Sequence, residues 1–158
     1  IDFIQKSGIV TAMVGMLQAP PGTKLFQRMH AEKRLLGTMT GDNVDGSTNI
    51  IPRMGLTTLK EGYREIMSHI YAPAQYYQRV KTFLSEYSLP GVSIPLDREY
   101  ILAFFRSIYK LGIIGKDRRH YWDLLLWTLR TRPALFATAV TMAIYGYHFN
   151  KVCDLHIR

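Results

Sequence analysis

Four side chains that carry carboxylate or carboxamide oxygens, Asp42, Asn43, Asp45 and Asn49, fall within eight positions beside Gly41 and Gly46. Clustered oxygens of this kind can hold a divalent cation or face a polar ligand. A helix-loop-helix calcium site needs oxygens at loop positions 1, 3, 5 and 12, the last from a bidentate Glu. No Glu stands at that distance, so the run reads as a polar, turn-rich loop, with structural and ligand-facing roles both open. His30, His69, His120, His148 and His156 form no HExxH pair on one helix face. None of the serines sits in a G-x-S-x-G elbow, and Cys153 lacks a local electropositive helix start to activate its thiol. The expectation is therefore no catalytic residue and no metal site in these residues.

Composition narrows the classes. The chain has 158 residues, 47% of them apolar, which suffices for a hydrophobic core and argues against disorder. Twenty basic residues against 12 acidic give a formal charge of +8 and bias the chain toward anionic partners. From Arg98 to Arg158 the basic residues alternate with Tyr, Leu, Ile and Phe, as on the polar side of amphipathic helices. We read them as a solvated face in preference to a nucleic-acid surface. A single cysteine excludes an intrachain disulfide and a thiolate cage, which fits a reducing, cytoplasmic setting. The start, Ile1-Asp2-Phe3-Ile4-Gln5-Lys6, has no signal-peptide pattern and reads as a cut through a longer chain. The longest apolar stretch, Ala134 to Phe149, is shorter than the roughly 20 residues a membrane span needs, so a buried helix is expected.

These residues must be positioned by a mainly α fold. Asp2 to Lys6 reads as a last helical turn stopped at Gly8. Residues 9–17 (Ile-Val-Thr-Ala-Met-Val-Gly-Met-Leu) are short, apolar and bounded by Gly and Pro, as in a parallel strand buried on both faces. A strand with two bare edges would aggregate in a complete domain, so its neighbours are expected elsewhere. Gln18 to Gly22 form a turn, and Thr23 caps a helix expected to run to Leu36, stopped by Gly37. Ligands of such β/α units gather beyond the carboxyl end of the strand, here near Gln18. After the polar loop, Thr58 and Glu61 predict a capping box for a helix to Tyr71. Pro73 starts another helix through Tyr76, Tyr77, Val80, Phe83 and Leu84. Asp97 caps a third that carries Ile101, Leu102, Phe105, Ile108 and Leu111 and ends near Gly112 and Gly115. A fourth is expected over 116–131, and a fifth opens at Pro133 with small residues at Ala134, Ala137, Ala139, Ala143 and Gly146. Aromatics at helical spacing are expected in the core, with an aromatic cavity for a bulky apolar substrate as the alternative.

With the residues laid out, the run Gly8 to Phe26, and above all Pro21-Gly22-Thr23-Lys24-Leu25, resembles the closing strand of radical S-adenosylmethionine enzymes. Glu32-Lys33-Arg34-Leu35-Leu36 is similar to the end of that unit. Thr40 to Met54 and Leu59 to Leu84, with Glu61-Gly62-Tyr63 and Ile70-Tyr71-Ala72-Pro73, resemble the C-terminal domain of unknown function in members that also carry a cobalamin-binding domain. Some relatives of that group modify hopanoid lipids. The family's iron–sulfur cluster sits on a CxxxCxxC loop that is not in this sequence.

The resemblance implies a fold of five or six helices in an orthogonal, bundle-like array, preceded by one strand left over from a partial (β/α) barrel. Residues 1–36 would be the barrel tail, with a strand over 9–17 and a helix over 23–36, and residues 37–158 the helical domain. It implies cofactor contacts to S-adenosylmethionine from Met16, Leu17, Gln18 and Thr23, and a substrate lid or wall from Asn43, Asp45 and Asn49. The implied partners are the rest of its own chain, with its 4Fe-4S cluster and cobalamin domain, and a small-molecule or lipid substrate. Two other readings stay open: a basic helical module that binds nucleic acid, and an oligomerisation domain that pairs through the bare strand.

Overall fold

The computed structural model describes residues 1–41, 45–88 and 98–156, the side chains of residues 155 and 156 apart. Helices dominate: α1 (Asp2–Lys6), α2 (Lys24–Ala31), α3 (Leu56–Ile70), α4 (Pro73–Glu86), α5 (Arg98–Ser107), a π-helical stretch (Ile108–Ile113), α6 (Arg118–Thr131), a 3₁₀ turn (Pro133–Leu135) and α7 (Phe136–His156). Among the described residues no helix is long and apolar enough to cross a membrane. The chain divides into two compact units, one of Ile1–Thr11 with Ile70–Lys151, the other of Ala12–His69 with the residues from Val152 onward.

The first unit packs α4 against α6 and α7. Apolar residues one helical turn apart put Tyr76, Tyr77, Val80 and Leu84 on one face of α4, and Tyr121, Leu124, Leu125 and Thr128 on one face of α6, all of them buried. Pro73 occupies the first turn of α4, where its missing N–H costs nothing. Arg132 ties off the other end by donating to the Ser85 and Tyr87 carbonyls at 2.6 and 2.7 Å. On α7, where Ala139 and Ala143 are buried, Gly146 lets the Tyr76 ring lie directly on the helix: a Cβ there would fall 2.3 Å from Tyr76 Cε1. The Tyr76 hydroxyl donates to the Met142 carbonyl at 2.7 Å, and Asn150 Nδ2 donates to the Tyr71 carbonyl at 2.9 Å.

Arg79 is fully buried on that same α4 face. Its guanidinium donates to the carbonyls of Ile9 (3.1 Å), Val10 (3.4 Å) and Ile70, and to Gln5 Oε1 (3.0 Å), and it stands over the Tyr76 ring at 5.6 Å. Ile70 closes α3, so Arg79 supplies a cation and a donor to carbonyl groups that have no intrahelical partner.

In the second unit, α2 opens with the Thr23 hydroxyl accepting from the Phe26 N–H at 3.1 Å, as the sequence predicts. It stops five residues earlier than expected. Lys33 takes a left-handed φ of 56°, its N–H reaching back to the His30 carbonyl and that of Arg34 to the Met29 carbonyl. Leu35 then pairs with Ile50 in an isolated antiparallel bridge, and both pack with Ala19, Leu25, Phe26 and Met29. Burying Leu35 in that cluster outweighs one more helical turn. The capping box is not used either: the Leu59 N–H bonds to the Gly55 carbonyl, so α3 begins before Thr58. Gly55, at φ 89°, makes the turn.

Over residues 9–17 no ladder forms among the described residues. A strand needs another backbone beside it, and the Ile9 and Val10 carbonyls are instead occupied by Arg79. Residues 108–113 wind as a π-helix where α-helix is expected, and Trp122 Nε1 donates to the Gly112 carbonyl at 3.0 Å inside it. Asp97, expected to cap α5, lies outside the described residues.

Substitutions at two positions test this packing. Arg79→Met should lower stability by about 3 kcal/mol, because buried carbonyls lose their donor, and Arg79→Lys should recover only part of that, since an ammonium cannot reproduce the planar fork. Urea unfolding should show the midpoint falling with an unchanged slope. Gly146→Ala should cost about 1–3 kcal/mol by overpacking Tyr76, read as a lower Tm.

Candidate functional site

The sequence places its candidate residues at the end of the 9–17 segment and in the loop that follows α2, and within the second unit the structure joins these two. Asn49 is buried, and its carboxamide clasps the Ala19 backbone at both groups: Oδ1 accepts from the Ala19 N–H at 2.7 Å and Nδ2 donates to the Ala19 carbonyl at 3.0 Å. The Thr48 hydroxyl donates to the Leu17 carbonyl at 2.7 Å. Gln18 Nε2 reaches the hydroxyls of Thr40 (3.4 Å) and Ser47 (3.3 Å), which are themselves 2.9 Å apart. Gly46, at φ 65°, turns the loop against Tyr63, whose ring lies 3.3 Å from where a Cβ would stand. The result is a polar knot that fixes the carboxyl end of the 9–17 segment.

Asp45 Oδ1 accepts the Ser47 N–H at 2.8 Å. The Ser47 side chain first, then its backbone N–H, hold the Asp45 carboxyl below the usual aspartate range, with the Thr40 hydroxyl adding to the effect. Thr23 spends its hydroxyl locally, donating to the Pro20 carbonyl at 2.7 Å while capping α2. Met16 is buried and Leu17 exposed. Asn43 lies outside the described residues. Thr40, Ser47 and Thr48 were not singled out in the sequence. Their signal is three hydroxyl residues flanking Asp45 and Asn49, a pattern common to ordinary turns.

Exposure along 9–17 alternates. Ile9, Thr11, Met13, Gly15 and Leu17 are exposed, Val10 and Met16 are buried, and Ala12 and Val14 lie between. A period of two is the signature of a strand with two distinct faces. In the first unit a cleft of about 380 Å³ borders residues 7–11, walled by Phe83, Met142 and Tyr145. Its lining is mostly apolar and includes Ser7 and Thr11.

Residues 23–158 match the family described as "Domain of unknown function (DUF4070)". The chain belongs to the DUF4070 family. An uncharacterized methyltransferase of Synechocystis sp. is 27% identical over 160 residues, covering 98% of this chain and 30% of that protein. The DUF4070 chain thus spans less than a third of the length of the curated relative it matches. No solved structure matches it.

Among the described residues of this DUF4070 chain, no three His, Cys, Asp or Glu side chains converge as metal ligands. The knot offers hydroxyls, one carboxylate and two carboxamides, engaged with one another or with backbone, which suits holding a loop to a strand end. Because the folded carboxyl of Asp45 is depressed, its contribution is present above the ordinary aspartate value of about 3.9 and lost as pH falls through the folded value. An NMR titration should give Asp45 a midpoint below that of a free aspartate, and Ser47→Ala should move it back up. Asn49→Ala should cost about 1–3 kcal/mol by stranding the Ala19 backbone groups, measured by chemical unfolding.

Proposed function

We propose that this DUF4070 chain is the non-catalytic C-terminal part of a radical S-adenosylmethionine enzyme of the cobalamin-carrying type, where it closes the barrel and shapes the substrate pocket. The observation that carries this reading is the 9–17 segment: apolar, alternating in exposure with period two, outside any ladder among the described residues, and anchored at its carboxyl end by Thr48 and Asn49. Such a segment is suited to receive strands on its edges. The methyltransferase name of the Synechocystis relative, and the small share of that protein the chain covers, support a role as one part of a larger enzyme.

The cofactors divide by what these residues can hold. A cluster on a CxxxCxxC loop needs three thiolates, and the chain has one cysteine, Cys153, which is buried. The cluster, and the radical made from it, therefore fall to other residues than these. S-adenosylmethionine would meet the segment end mainly through apolar contact, from exposed Leu17, with the Gln18 amide and the Thr23 hydroxyl already engaged in local bonds. Asp45 and Asn49 would serve as the wall behind it. The partner is then the rest of the same polypeptide, and the substrate a small molecule or lipid.

Anaerobic reconstitution of the full-length protein with iron and sulfide should yield reductive S-adenosylmethionine cleavage, with none from the 158-residue chain alone. A full-length sequence without a cysteine triad, and no cleavage, would refute the reading.

A further inference from the structure

The apolar periodicity of α5 predicts a core-facing stripe, yet much of it faces outward. Ser107 and Leu111 are buried, whereas Ile101, Leu102, Phe105, Tyr109, Ile113 and Ile114 are each 48–62% exposed. They follow four-residue steps: 101, 105, 109 and 113 make one row, and 102 and 114 belong to the next, whose intervening members are Arg106 and Lys110. In a straight α-helix a four-residue step overshoots the 3.6-residue turn, so a row drifts around the axis. The π-helical stretch, with bonds reaching five residues back, accommodates this step and leaves Ile113 and Ile114 exposed together with Tyr109.

The sequence that carries this face is also strongly basic. Residues 98–119 contain six basic side chains, Arg98, Arg106, Lys110, Lys116, Arg118 and Arg119, against two acidic ones, Glu99 and Asp117. Exposed aliphatic and aromatic side chains set among Lys and Arg match the boundary of an anionic bilayer: rings and aliphatics enter the acyl edge while the cations meet the headgroups. A nucleic acid would use the charges and could stack on Phe105 or Tyr109, but it gives no place to the four exposed aliphatics. A second copy of the chain would set the same cations against each other across a two-fold axis.

We propose that α5 and the π-helical stretch form a peripheral membrane-docking face that recognises anionic lipid. Full-length protein should co-sediment with vesicles of phosphatidylcholine and phosphatidylglycerol, and far less with phosphatidylcholine alone. The triple variant Phe105→Ser/Tyr109→Ser/Ile113→Ser leaves the charge unchanged and should lower partitioning at least about tenfold while keeping the wild-type Tm. Arg106→Gln/Lys110→Gln should weaken binding only to the anionic vesicles. Four results would overturn the proposal: wild-type protein that stays in the supernatant, binding that survives the triple variant, a triple variant whose Tm falls by several degrees, which would mean the face is covered within the protein or by a second copy, or binding of a single-stranded RNA oligomer that needs Phe105 and Tyr109 while vesicles are ignored. Because vesicle binding is read without any cleavage assay, its failure is distinguishable from failure of the enzymatic assignment.

Discussion

A buried guanidinium organises the first unit. Arg79 is removed from water with carbonyl and carboxamide oxygens as its hydrogen-bond acceptors, from Ile9, Val10, Ile70 and Gln5. Burial disfavours the charged form and lowers its pKa, while the neighbouring Tyr71 and Tyr76 act the other way. Leaving a cation unsatisfied in such a place costs several kcal/mol, so the backbone around residues 9, 10 and 70 must keep the positions that supply its acceptors. The geometry of Arg is what permits this, because one planar group reaches separate stretches of chain in different directions. The entry to the 9–17 segment is thereby fixed from one end.

The other end is fixed by different chemistry. There neutral side chains do the work: Asn49 copies with its carboxamide the two bonds a neighbouring strand would make to Ala19, and Thr48 satisfies the Leu17 carbonyl. Between these anchors the chain presents Ile9, Thr11, Met13 and Leu17 outward. An apolar segment that joins no ladder among the described residues, with its carboxyl end tied down by Thr48 and Asn49, is suited to receive a neighbour. This is the physical basis for reading it as a strand that other parts of a barrel complete.

Much of the helical layout is legible in the sequence because local signals and packing agree: Pro73 at the head of α4, the 121/124/125/128 stripe of α6, the small residues of α7 and the Thr23 cap. The reading fails where two signals compete. Glu32 to Leu36 are good helix formers, but Leu35 is drawn into the Ala19–Met29–Ile50 cluster and Lys33 takes the strained turn. Thr58 and Glu61 have the spacing of a capping box, yet Gly55 already turns the chain upstream. The α5 stripe has helical period whichever medium covers it, so periodicity gives the helix that carries Ile101, Leu102 and Phe105 but not their exposure. Arg79 looks in sequence like any helix-surface cation. Its one distinguishing mark is its place on the face that Tyr76 and Val80 define. Within the candidate site, the loop's tie to Gln18 could be guessed from strand-end logic, whereas the roles of Thr40, Ser47 and Thr48 depend on contacts that span up to 31 positions.

The measurement that bears most directly on this account is amide hydrogen exchange over residues 9–17, compared between the full-length protein and the 158-residue chain. If the segment is a barrel strand, its amides are strongly protected in the full-length protein and exchange fast in the shorter chain, while α4 and α6 are protected equally in both. Equal, fast exchange over 9–17 in the two proteins would contradict the claim that this segment closes a barrel.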